Sequence, residues 1–321
     1  MGLSLVVGSI PSYTLGRMTL SFHHLVSTAK VCREDVHVIF KEAACMEEIL
    51  RRGGDDRCHG RILASLFYEP STRTRLSFEA AMHRLGGSVV SAEGIRFSSR
   101  YKGESIEDTI RVVSQYADCI CMRHPEIGSA ERAAAVSSIP FINAGDGPGD
   151  HPTQGLLDLY TIFRERGGIE GLHVAIVGDL LFGRTVHSVA QLIALYEDVR
   201  FTLISPPELK MPRKYLAVFT ERGIPYVETE DLTAGLDADV LYMTRIQKER
   251  FEDLSEYERL KGAYTLTKKH LKGKRVTLMH PLPRVDEIAT DVDALPNAAY
   301  FRQVRNGLLI RMALLSLLLA S

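Results

Sequence analysis

The segment Glu69-Pro70-Ser71-Thr72-Arg73-Thr74-Arg75 sets hydroxyls and guanidinium groups in consecutive positions between an apolar run and a stretch of helical period. At the start of a helix such groups join unpaired amides and the positive end of the helix dipole, which together bind anions, phosphate above all. An ordinary Ser/Thr cap beside solvated arginines accounts for the hydroxyls but not for so long a polar run.

Other candidates share the habit of following a strand-like run. Arg123-His124-Pro125 ends one, and in an open parallel sheet ligands sit at the carboxyl ends of strands; a surface arginine is the plainer alternative. His151-Pro152-Thr153-Gln154 follows a glycine-rich stretch, and proline at a first helical position leaves His151 as the last loop residue, able to reach a ligand or simply to hydrogen-bond within the loop. Gly178 to Thr185 resembles a phosphate-wrapping nucleotide loop but has Arg184 where lysine is needed and three bulky residues in its middle. Arg184 reads instead as a planar fork for a carboxylate. Arg245 and Gln247 offer donors on one side of an extended segment, or belong to a solvated charge run. The prolines of His280-Pro281-Leu282-Pro283 pin a backbone that could present the Leu282 carbonyl rigidly.

Alternating apolar runs and helical periods position these groups. Strands are expected at 62–68, 119–123, 140–143, 173–177, 200–204 and 240–244. Helices are expected where Phe78, Ala81, Met82 and Leu85 recur at helical spacing, closed by Gly86 and Gly87, and at 129–136, 185–196 and 214–221, with 308–319 buried on nearly every face. The order predicts an α/β protein of two similar halves divided at the strand-poor loop Asn143 to Asp150, with the final helix packing back onto the first half. Cys119 and Cys121 share one face of a strand and read as small core residues.

The 321 residues, 45% of them apolar, supply two cores. Lys+Arg 39 against Asp+Glu 40 leaves a formal net charge of -1, so an anionic ligand must be met by a local cluster and no field exists to hold nucleic acid. The most apolar stretch, Met312 to Ala320, is too short to span a membrane. Five scattered cysteines fit neither a disulfide framework nor a metal site, which favours a reducing compartment. An acid-free, serine-rich start of 33 residues leaves an organelle transit segment open beside an ordinary lead-in.

Taken together, the strings 67–75, Lys-Gly-Glu-Ser (102–105), Met-Arg-His-Pro (122–125), Asn-Ala-Gly-Asp-Gly (143–147), His-Pro-Thr-Gln (151–154), Gly-Arg-Thr-Val-His-Ser (183–188), 244–251 and 279–288 resemble the aspartate/ornithine carbamoyltransferases, from about Ser27 onward. The resemblance implies two Rossmann-like domains, each a central parallel sheet flanked by helices: residues 1–151 with 307–321 for carbamoyl phosphate, and 152–306 for L-aspartate. It implies transfer of the carbamoyl group to the α-amino group of L-aspartate in pyrimidine biosynthesis, without metal or cofactor, by a cytoplasmic homotrimer in which Ser98 and Lys102 enter a neighbour's site. By the same resemblance Ser71, Thr72, Arg73 and Thr74 hold phosphate, and Thr74, Arg123 and His151 polarise the carbamoyl oxygen. Gln154 and the Leu282 carbonyl grip the carbamoyl amino group beside Pro283. Arg184, Arg245 and Gln247 bind the carboxylates of aspartate, and Lys102 adds positive charge.

The sister activity that carbamoylates ornithine is disfavoured because that enzyme's cysteine-containing proline loop is replaced here by His280 to Pro283 and because ornithine has no use for paired arginines. Gly155 departs from the alanine usual after the motif glutamine, at an expected cost of ~1 kcal/mol in helix stability. A nucleotide hydrolase built on Gly178 to Thr185 and an inactive relative are the rival readings; the second is disfavoured because every expected site position is filled.

Overall fold

The computed structural model describes residues 19–94, 103–247, 251 and 253–319; Ser98 and Lys102 lie outside the described residues. The elements in chain order are β1 His24–Leu25, α1 Arg33–Arg51, β2 Ile62–Phe67, α2 Thr72–Arg84, β3 Ser88–Glu93, α3 Ile106–Val113, β4 Cys119–His124, α4 Ser129–Val136, β5 Phe141–Asp146 and α5 Pro152–Arg166. They continue as β6 His173–Val177, α6 Arg184–Ile193, β7 Arg200–Ile204, α7 Arg213–Glu221, β8 Tyr226–Thr229, β9 Val240–Met243, α8 Leu254–Leu260, β10 Thr277–Met279 and α9 Tyr300–Leu319.

Two compact units result, each with one five-stranded sheet whose pairings are all parallel. The first comprises Thr19–Asp158, Phe182–Leu195 and Phe301–Ser321. Its sheet has the order β1-β5-β4-β2-β3. Strand β2 reads as a nearly unbroken apolar run because both its faces are covered, as parallel strands require. One face packs Ala64, Leu66, Ile120 and Met122 against Ile110 and Ala133 from α3 and α4. Cys119 and Cys121 are fully buried, and burial pushes both thiols up, so they are core side chains as their shared face suggests. Helix α9 is nearly all buried beyond Gly307, with Leu309, Ile310, Met312 and Leu315 inaccessible, and it belongs to this unit as expected.

The second unit comprises Leu159–Leu181 and Tyr196–Tyr300 among the described residues, with the sheet order β10-β9-β6-β7-β8. Its core gathers Ala175, Val177, Leu241, Met243, Leu266 and Leu278. Matching β2, β3, β4 and β5 with β6, β7, β9 and β10 makes the central order of the two sheets the same, which is the repeated plan anticipated from the chain.

Three differences from the sequence expectation stand out. Strand β5 continues through Asn143 to Asp146, half of what was read as loop; the Asn143 side chain supplies the local partners, donating to the Val26 carbonyl at 2.9 Å and accepting the Gly145 amide at 2.8 Å. Helix α9 begins at Tyr300, eight residues before 308, because its first turns are half polar and carry exposed Phe301 and Val304. Helix α6 follows a strand of the second unit in sequence yet packs in the first.

Candidate functional site

In the first sheet the chain leaves β2 toward β3 on one side and β4 toward β5 on the other, so strand order reverses between β2 and β4. Crevices of this kind, at carboxyl ends, are where doubly wound sheets bind ligands. Glu69 to Thr74 follow β2, and Arg123 sits near the end of β4, where the register with β5 slips between Met122 and His124. Such irregularities re-aim side chains beside sites.

Ser71 occupies the N-cap of α2 but its hydroxyl makes no capping bond, and the first turn contains no acid. The first-turn amides of any helix lack intrahelical partners. Thr72 and Arg73 are exposed and Thr74 is buried at the same helix start. The simple capping role is therefore not the one Ser71 plays. Arg75 is turned elsewhere, bonded to Glu93 at the end of β3.

Arg123 and Arg184 come together around one carboxylate. Arg123 Nη2 lies 2.9 Å from Glu69 Oε2, and Arg184 Nη1 lies 3.6 Å from the same atom. Arg184 also donates to the Gly147 carbonyl. Gly145 makes this approach feasible: its φ is +119°, and a Cβ there would lie 3.1 Å from Arg123 Nη1 and 3.3 Å from Arg184 Cζ.

His151 is 3% exposed, next to the same arginines. Burial, reinforced by the positive charge of Arg184, Arg123 and Arg311, holds its pKa well below the ordinary range, so the ring is neutral. Its backbone amide donates to Asp150 Oδ1 at 2.7 Å, and Nδ1 lies 3.4 Å from Thr153 Oγ1. Asp150 is the hub beneath it: Oδ2 accepts from Ser27 Oγ at 2.8 Å, Thr28 N at 2.6 Å and Thr28 Oγ1 at 2.9 Å, while Oδ1 also accepts from Ser188 Oγ. Gln154 donates its amide nitrogen to Asp158 Oδ1 at 2.8 Å, which leaves its oxygen on the other side of the amide as an acceptor. Gly155 lets α5 meet α6 closely, since a Cβ would come within 3.0 Å of Leu192 Cδ1 and Ser188 Cβ. Glycine there serves packing rather than merely weakening the helix.

In the second unit the strand order reverses between β6 and β9, with Gly178 and Thr244 at the two carboxyl ends. Arg245 and Gln247 follow Thr244 and are half-buried. Gly178 adopts φ +118°, and a Cβ would lie 2.3 Å from the Thr244 carbonyl. The proline loop is pinned from below: the Leu282 amide donates to His280 Nδ1 at 2.8 Å, which leaves the ring proton on Nε2, 2.6 Å from Glu287 Oε1. Glu287 Oε2 accepts the Val285 and Asp286 amides, each at 3.1 Å. Leu282 has φ +56° and Leu282-Pro283 is cis.

The first unit thus brings Ser71 to Thr74, Arg123, His151, Gln154 and Arg184 into one compact body, and the second holds Arg245, Gln247, Leu282 and Pro283. Sequence reasoning passed over Glu69, Asp150, Ser188 and His280 as working residues. Glu69 lay inside a quoted motif, but nothing in the order of residues announces an acid that two distant arginines share.

Two doubly wound α/β units, each with cationic or amide donors at its strand-order reversal, define a protein that handles small anionic ligands. Residues 23–164 match the family model of the aspartate/ornithine carbamoyltransferase carbamoyl-P binding domain, and residues 170–318 match that of the Asp/Orn binding domain. The chain belongs to the aspartate/ornithine carbamoyltransferase family. It is 53% identical over 296 residues to the aspartate carbamoyltransferase catalytic subunit of Methanococcus vannielii, covering 92% of this chain and 97% of that one. It is 51% identical over 298 residues to the corresponding subunit of Methanocaldococcus jannaschii, covering 92% and 97%. Among solved structures, the catalytic subunit of M. jannaschii aspartate transcarbamoylase superposes with a TM-score of 0.88 at 50% identity, over 93% of this chain and 98% of that one. The Trypanosoma cruzi aspartate transcarbamoylase in complex with carbamoyl phosphate and aspartate gives a TM-score of 0.86 at 40% identity, covering 91% and 95%.

Proposed function

We propose that this chain is an aspartate carbamoyltransferase, moving the carbamoyl group of carbamoyl phosphate to the α-amino group of L-aspartate to give N-carbamoyl-L-aspartate and phosphate in pyrimidine biosynthesis. The observation that carries this reading is the joint presence in one compact unit of the uncapped start of α2, the Arg123 and Arg184 pair and the buried His151.

In this mechanism Ser71, Thr72, Arg73 and Thr74 bind the phosphate, and the deprotonated amine of aspartate attacks the carbamoyl carbon. Charge then builds on the carbonyl oxygen, where Thr74, Arg123 and His151 donate. A neutral imidazole suits this role, since it donates a hydrogen bond without itself losing a proton. Each such donor is worth about 3 kcal/mol of barrier. The C–O bond to phosphate breaks as the tetrahedral intermediate collapses, and the departing phosphate accepts the amine's proton. Gln154 Oε1 and the Leu282 carbonyl accept from the carbamoyl amino group, with Pro283 shaping the wall. Arg184, Arg245 and Gln247 bind the aspartate carboxylates.

The functional division assigns 1–151 with 307–321 to carbamoyl phosphate and 152–306 to L-aspartate; the family matches at 23–164 and 170–318 support a carbamoyl-P part followed by an Asp/Orn part, and the packing of the final helix in the first unit supports its return there. The working assembly is a homotrimer in which Ser98 and Lys102 complete a neighbour's site. The five cysteines are free, which supports a reducing compartment such as the cytoplasm. Among the described residues no helix is long and apolar enough to cross a membrane. The test is the purified full chain with labelled carbamoyl phosphate and either aspartate or ornithine; labelled carbamoyl-aspartate is expected, and citrulline alone would overturn the assignment.

A further inference from the structure

A cavity of about 830 Å³ opens in the second unit at the end of its sheet opposite Arg245 and Gln247. Arg275 and Thr277 in its lining lead into the amino end of β10, whereas Arg245 follows the carboxyl end of the neighbouring β9. Four residues of strand, roughly 13 Å at the usual rise, separate the two ends. This is a second location and not an annex of the candidate active site.

Its lining is basic. Lys274 and Arg166 are already neutralised, by Asp237 at 2.6 Å and Asp239 at 2.5 Å. Lys268, Lys269, Lys272 and Arg275 are exposed and have no ion pair among the described residues. Glu165 is the one acid in the lining. The backbone that carries the lysines is fixed by consecutive turns, with Leu271 N to Lys268 O at 3.2 Å and Lys274 N to Leu271 O at 3.1 Å, while buried Leu271 anchors the turn in the core. Four like charges held on a rigid turn repel one another, and a concave wall concentrates their field. Compact ammonium groups suit tetrahedral phosphate oxygens.

We propose that this cavity is a binding site for a small polyphosphate bearing three or more closely spaced negative charges. Its occupant sits among Lys268, Lys269, Lys272 and Arg275 and leaves the candidate catalytic groups untouched. The charge count sets the class: a single phosphate leaves most of the cluster uncompensated, and a chain of linked phosphates spans it.

Calorimetry on the full chain with inorganic tripolyphosphate, in about 0.15 M salt where surface fields reach only ~8 Å, tests this. Saturable binding of one tripolyphosphate per chain is expected, at least about tenfold tighter than orthophosphate at that site. The Arg73→Ala variant separates the two sites and should bind tripolyphosphate unchanged. Lys268→Ala with Lys272→Ala should weaken binding about tenfold or more while leaving carbamoyl transfer intact, and Lys268→Arg with Lys272→Arg should restore it. Absence of saturable binding, its loss in Arg73→Ala, its retention in the double alanine variant, or tighter binding of hexa-aspartate than of tripolyphosphate would each overturn the proposal.

Discussion

Ser188 Oγ donates to Asp150 Oδ1 at 2.5 Å, closing 38 residues of chain and fastening α6 to the segment that carries His151. The same carboxylate reaches Thr28 through two further bonds, so Asp150 fixes the His151 backbone from two directions.

Replacing Asp150 with alanine strands these donors. Hydrogen bonds to a charged group contribute roughly 1.5–3 kcal/mol each, and displacement of a catalytic group by ~1 Å costs about 100-fold in rate. Asp150→Ala should therefore lower kcat by about 10- to 100-fold and lower Tm, whereas Ser188→Ala, which removes one donor, should do less of both. Steady-state kinetics beside a thermal melt checks the order; equal activity in all three proteins would contradict it.

Glu69 sets one carboxylate against both Arg123 and Arg184 and offsets part of their charge. In Glu69→Gln the two guanidinium groups face each other without it, and leaving a buried charge uncompensated is costly. The variant should melt lower than the parent in chloride buffer, and phosphate should raise its Tm by more than it raises the parent's. A phosphate response no larger than the parent's would show that the carboxylate is not what balances the arginines.

Arg73 and Arg245 should separate the two substrates. Arg73→Ala is expected to abolish turnover, by at least 100- to 1,000-fold if it acts as one transition-state donor, while Arg245→Ala mainly raises the aspartate KM. Near-normal kinetics in either variant refutes the corresponding role.

Acid should destabilise the fold through its buried histidines. Burial is the main cause that lowers the pKa of both His151 and His280, in the second case against the opposing pull of Glu287. In the unfolded chain each titrates near 6.5. Below that pH only the unfolded state takes up the proton, so stability is full above about pH 6.5 and falls as pH drops toward the folded values, by up to about 1.4 kcal/mol per pH unit for each ring. Burial opposes the Glu287 carboxylate, but bonds from His280 and two backbone amides outweigh it and hold its pKa low, so its loss has the same sign and begins only below about pH 4.5. Melts at pH 7.5, 6.5 and 5.5 should show a flat upper interval and a drop in the lower one.

The parts of this molecule legible in its sequence are those written in adjacent residues. Ser71 to Thr74 follow a strand and open a helix, so composition and position agree, and β2, β4, β6, β7 and β9 announce themselves as apolar runs. The edge strand β3, half-exposed along Ser88–Glu93, has no such run, and β8 is equally polar. Polar hubs are hidden for another reason: Asp150 meets Thr28 across 122 positions and Ser188 across 38, separations that no local pattern encodes. The packing of α6 in the first unit escaped because alternation of strand and helix gives their order along the chain and not which sheet a helix covers.

Phe301–Ser321 completes the unit that Thr19 begins, and Arg311 from this closing helix stacks 5.2 Å over the Phe78 ring. During synthesis the half that emerges earlier must therefore wait for the helix beginning at Tyr300 before its hydrophobic interior closes, whereas the later half finds all its strands beforehand. Any nascent chain lost before this helix is made leaves the anion-binding body unfinished.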